Sequence, residues 1–107
     1  MNKTKNYFSS LFFLASFMLG ITSYAATNSE KKGDQLYQLF DFVGAIKLYQ
    51  SALEKEPANL GVLQKIATCY RMMNNTVEME NWYSQIVKID SAAPINKFYY
   101  AQALRSN

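Results

Sequence analysis

An all-α fold, built as a row of helical hairpins, is predicted for this chain by three observations. Apolar and small residues recur at helical spacing. Ala45, Tyr49 and Ala52 stand at i, i+4 and i+7, and Gly33, Leu36 and Tyr37 share one face of the segment before them. Breakers interrupt the pattern at Phe40-Asp41-Phe42, at Pro57, at Asn74-Asn75 and between Asp90 and Pro94. The chain also matches itself at a period of 34 residues. Gly33 falls on Ala67 and Ala101, Leu36 on Tyr70 and Leu104, Tyr37 on Arg71 and Arg105; further on, Ala45 falls on Met79, Tyr49 on Tyr83, Ala52 on Ile86 and Leu53 on Val87. Apolar/polar alternation nowhere persists, so no strand pattern competes.

The elements follow in order. Residues 1–25 read as a secretory signal peptide. Lys3 and Lys5 make a positive start, Phe8 to Ile21 is a short apolar run, and Ser23-Tyr24-Ala25 places small residues at −3 and −1 of a cleavage site after Ala25. Retention as a membrane anchor is the alternative, although the run is shorter than the roughly 20 residues a spanning helix needs. Residues 26–107 then form the helical domain, with repeats of about 26–59 and 60–93 and a partial third over 94–107. The predicted helices are Ser29–Phe40, Val43–Lys55, Leu60–Met73, Val77–Lys88 and Pro94 to about Arg105. Pro57 closes the second helix, and Pro94 suits the first turn of the last. The second copy is looser than the first, with Met79 for Ala45 and Ser91 for Pro57. The third copy contains only its first helix, which leaves Tyr100 and Leu104 without a partner helix. The expectation is that this is the N-terminal piece of a longer protein; a capping role for the last helix is the alternative.

Composition narrows the function classes. Of 107 residues, 11 are Lys or Arg, 8 are Asp or Glu, and none is His. Without Lys3 and Lys5 the charge is close to balance, and no basic cluster marks one face, so a nucleic-acid partner is not expected. Lacking His, and with only four Gly and no phosphate-cradling loop, the chain is not expected to be an enzyme, and no catalytic residue, metal site or cofactor is expected. Glu54 and Glu56, like Glu78 and Glu80, stand two apart and read as solvated faces rather than paired acids. The single Cys69 forms no intrachain disulfide and fits a buried small side chain, with an intermolecular disulfide or reactive thiol as the alternative. Trp82 and Tyr83 match Leu48 and Tyr49 and read as core.

The small-aromatic pairing of the first helix, the Ala45-x3-Tyr49 spacing and Pro57 together resemble a tetratricopeptide repeat (TPR). A TPR array implies a binding scaffold, not an enzyme. LQKIATCYRMMNN, NWYSQIV and APINKFYYAQALRSN also resemble the N-terminal repeats of certain bacterial cell-envelope proteins. In these, TPRs follow a signal peptide and precede a β-propeller and an OmpA-like peptidoglycan-binding domain; some belong to type IX secretion and gliding machinery. The later domains are not in this sequence, so the resemblance implies an exported, periplasmic or outer-membrane-associated protein-binding scaffold, or a structural spacer of such a protein. The groove positions it implies are Asp34, Tyr37 and Gln38; Gln64, Thr68, Arg71 and Met72; and Phe98, Gln102 and Arg105. Arg71 and Arg105, one repeat apart, are expected to face one groove and read a carboxylate on a partner peptide; solvation, or stacking on Tyr70 or Phe98, is the competing role. Self-association through the aromatic face of the last helix is a further expectation.

Overall fold

The computed structural model describes residues 26–107; the expected signal peptide lies outside them. The described residues fold into five α-helices: α1 Asn28–Gln38, α2 Phe42–Leu53, α3 Leu60–Met72, α4 Thr76–Ile89 and α5 Pro94–Ser106. Among them there is no strand, and no helix is long and apolar enough to cross a membrane.

Local chemistry explains where each helix begins. Thr27 accepts a hydrogen bond from the Glu30 amide, Asp41 from Gly44, Asn59 from Val62 and Asn75 from Glu78, so four N-termini carry a side-chain cap. Ala93 precedes α5 without one, and Pro94 supplies the pre-set backbone of the first turn instead. The bounds differ from expectation by one to two residues at most ends, because the caps sit one residue earlier than the apolar periodicity suggests. In particular, α2 ends at Leu53, four residues before Pro57. Pro57 therefore lies in the connecting turns and does not itself end the helix.

The two hairpin turns are the same turn made by different residues. Phe40 and Asn74, 34 positions apart, have φ of 61° and 54°. The Asp41 amide bonds back to Leu36 O at 2.9 Å and Phe40 to Tyr37 O at 2.9 Å; Asn75 to Tyr70 O and Asn74 to Arg71 O are their counterparts at 3.0 Å. This is the paired closing of a helix end on a left-handed residue. Asn accepts that conformation readily, whereas Phe does so at a cost.

Helices pack on their neighbours in sequence, and α3 serves two cores. One of its faces places Val62, Ile66 and Cys69 against Ala45, Ile46, Tyr49 and Ala52 of α2. The other places Leu63 and Ala67 with Met79, Tyr83 and Ile86 of α4 and Ala103 of α5. Small residues allow the close approaches. The Tyr49 ring lies directly on Gly33, so that an added Cβ would meet its Cε1 at 2.6 Å.

Three expectations need correction. Tyr100 is half-buried against the second core, because α5 turns it towards α4; Leu104, at 46 % exposure, is the residue left uncovered. Ala101, aligned with the buried Gly33 and Ala67, is exposed. Glu78 and Glu80 are half-buried rather than freely solvated: Glu78 accepts from the Trp82 indole at 3.2 Å and Glu80 from Asn107 at 2.9 Å. Trp82 itself stacks on Tyr70 with ring centroids 6.5 Å apart.

Candidate functional site

The first helices of the hairpins, α1 and α3, together with α5, form one side of the row, and two clefts open there. The first, about 360 Å³, is lined by Asp34 and Tyr37 of α1, Tyr49 of α2, and Gly61, Gln64, Lys65 and Thr68 of α3. Its floor is a closed polar network. Lys65 Nζ stands 2.8 Å from Glu30 and 2.9 Å from Asp34, and the Tyr49 hydroxyl donates to Asp34 at 2.7 Å. Burial opposes the charge on Lys65, but its hydrogen bonds to Glu30 and Asp34 outweigh that and raise its pKa. Burial, and then the Asp34 carboxylate, push the Tyr49 hydroxyl far above its ordinary range, so it remains a donor. Asp34 is thus already occupied by its own chain.

The second cleft, about 390 Å³, lies where the end of α3 and the start of α4 meet α5. Arg71, Asn74, Thr76, Met79, Phe98, Tyr99, Gln102 and Ser106 line it. No carboxylate is among these residues, and Arg71 has no ion-pair partner among the described residues. The Arg71 guanidinium sits 4.5 Å from the centroid of the Tyr99 ring, and its Nε is buried without a hydrogen-bond partner. Tyr99 in turn packs on Tyr83, 5.4 Å between centroids. Burial raises the Tyr83 pKa against the opposing pull of Thr68 and Arg71. The Tyr99 ring therefore covers one face of the guanidinium, and no carboxylate lines the cleft that Arg71 borders.

The ten groove positions divide unevenly. Asp34, Tyr37, Gln64 and Thr68 line the first cleft; Arg71, Phe98 and Gln102 line the second. Gln38, Met72 and Arg105 are exposed and line neither. The two arginines therefore do not meet in either of these clefts: Arg71 lines the second and stacks on Tyr99 rather than on Tyr70 or Phe98. Reasoning from sequence missed Lys65, Glu30, Tyr99 and Asn96. Asn96 is 3 % exposed, accepts from Gln64 Nε2 at 3.5 Å, and keeps an unpartnered Nδ2. Its signal was available, since it falls 34 residues after the buried Val62, a polar residue at a core position.

No family model matches the chain, and no curated protein matches it closely.

Proposed function

We propose that this chain is an exported TPR-type scaffold that binds a partner protein through a peptide segment laid across the clefts of α1, α3 and α5, with Arg71 receiving a carboxylate. The observation that carries this reading is the Arg71 site: a guanidinium held against Tyr99, without an ion-pair partner among the described residues, in a cleft lined by no acid. A planar cation pre-set in this way loses little side-chain freedom on engaging a carboxylate, which favours an acidic or C-terminal segment. The regular turn and cap chemistry at 34-residue spacing supports the TPR assignment. Export to the periplasm or outer membrane, and membership of a peptidoglycan-associated assembly, follow from the N-terminal segment and the envelope-protein resemblance.

Binding of a short fluorescein-labelled peptide ending in Asp-Glu with a free carboxyl terminus tests the site by anisotropy. Arg71→Gln is expected to weaken it by about tenfold or more, with the helical CD signal unchanged. Arg105→Gln, outside the cleft, is expected to matter less. Equal affinity for wild type and Arg71→Gln would refute the carboxylate role.

A further inference from the structure

Two joints in this row of helices are directly comparable. At the first, α3 packs on the α1–α2 hairpin; at the second, α5 packs on the α3–α4 hairpin. The 34-residue register sets their parts side by side. Helix α3 brings Val62, Ile66 and Cys69 to the first joint, at 1 %, 0 % and 0 % exposure. The same positions on α5 hold Asn96, the half-buried Tyr100 and Ala103. The polar clasp does not repeat either. Lys65 crosses the first joint to Glu30 and Asp34; its counterpart on α5 is Tyr99, and Gln64 and Thr68 stand in the places of the two acids. No ion pair crosses the second joint among the described residues. Asn96, 3 % exposed, accepts from Gln64 at 3.5 Å, longer than an ordinary N–H···O bond, and its Nδ2 has no partner. Arg71 Nε, also buried and without a partner, lies at the same joint beside Tyr99.

We propose that the second joint is the yielding one: α5 lifts from the α3–α4 hairpin as a unit while α1 to α4 stay packed, and the buried Asn96 carboxamide sets how readily it does so. A buried amide with half its bonding unmet destabilises the closed joint, and opening relieves that cost because water then reaches the group. The first joint has no such relief, since opening it would break the pairing of Lys65 with two carboxylates and wet only apolar side chains. The short hydrogen bonds that do cross the second joint run from the end of α5 to the start of α4, between Asn107 and both Thr76 and Glu80. All are exposed, so water replaces them at little cost. Opening has a consequence for the second cleft. Arg71 and Met79 stand on one side of the joint, Tyr99 and Gln102 on the other, so that cleft is assembled only while α5 is seated. The motion is independent of what the cleft binds.

Native-state hydrogen exchange of the full chain, followed residue by residue with and without low urea, tests this. The amides of residues 98–104 in α5 are expected to exchange as one block, at least about tenfold less protected than those of residues 66–72 in α3. Their protection should also fall less steeply with urea, because a partial opening exposes less surface than global unfolding. Asn96→Val installs the residue that α3 carries at the matching position, and should raise the protection of the α5 block by about tenfold. Asn96→Leu offers a second apolar shape at the same place and should act in the same direction. An α5 block as protected as α3, with the same urea dependence, overturns the proposal. So does rapid exchange confined to the last turn of α5, which is fraying, or a failure of both Asn96 variants to raise protection.

Discussion

Adding one methyl group at Gly33 sets two well-defined energies against each other. Ala is the better helix former, by about 1 kcal/mol in a helix interior, so on propensity alone Gly33→Ala stabilises. Sterics point the other way. The new Cβ would lie 2.6 Å from Tyr49 Cε1, 2.8 Å from Cδ1 and 3.2 Å from Cζ. Relief needs the ring to slide, but Tyr49 is 1 % exposed among Ala45, Ala52, Ile66 and Cys69, and its hydroxyl is tied to Asp34 at 2.7 Å. Overpacking costs about 1–3 kcal/mol, and a ring held at both ends belongs in the upper part of that range. The expected net loss is about 1–2 kcal/mol, a fall in Tm of roughly 4 °C or more for a domain of this size. Thermal and urea denaturation followed by CD would measure it. A Tm that rises after Gly33→Ala would show that the ring yields, and would refute the close-approach argument. Combining Gly33→Ala with Tyr49→Phe, which removes the tether, should cost less than the two single changes summed.

Two further predictions concern the turn and the buried ionisable groups. Phe40 is 77 % exposed at φ 61° and occupies the place of Asn74, so Phe40→Asn should raise stability by about 0.5–1 kcal/mol; a lower urea midpoint would mean that its edge contact with Phe42 outweighs the backbone strain. Burial pushes the Cys69 thiol up to about 11 and raises the Tyr49, Tyr70 and Tyr83 hydroxyls. The folded state then holds protons that the unfolded chain releases from about pH 9 upward, so stability is full below that pH and falls as pH rises through the folded values. Lys65, whose pKa is raised, acts in the same direction as its pairing with Glu30 and Asp34 is lost. Urea midpoints compared between about pH 7 and pH 10.5 test this, and a flat profile would contradict it; native Cys69 should also react slowly with a thiol reagent at pH 8 and rapidly once unfolded.

Much of the local architecture could be read from the residues. Helical spacing, with Asn75 and Pro94 at element boundaries, marked five helices to within about two residues, because caps and periodicity act over one or two turns of chain. The 34-residue register also identified Tyr49 and Tyr83 as core, and the lone Cys69 within a helical pattern was expected to be buried, as it is. The candidate site was less legible. Register shows which residues share a helix face, but not whether a neighbouring element neutralises or covers them. Asp34 and Arg71 look alike as groove charges; one is consumed by Lys65 and Tyr49, whereas the other is set on Tyr99 with a buried Nε unpaired.

Helices, their turns and the burial of Gly33 and Ala67 were legible in the residues, since these depend on interactions within a few positions or on a spacing that can be counted. The packing of the helices is what parts Arg71 from Arg105, half-buries Tyr100 while Ala101 and Leu104 stay exposed, and pairs Lys65 with Glu30 and Asp34 in the first cleft. Those outcomes follow from how one helix is rotated against the next. That rotation is the joint result of many weak packing contacts between residues distant in the chain, and no single residue or spacing encodes it.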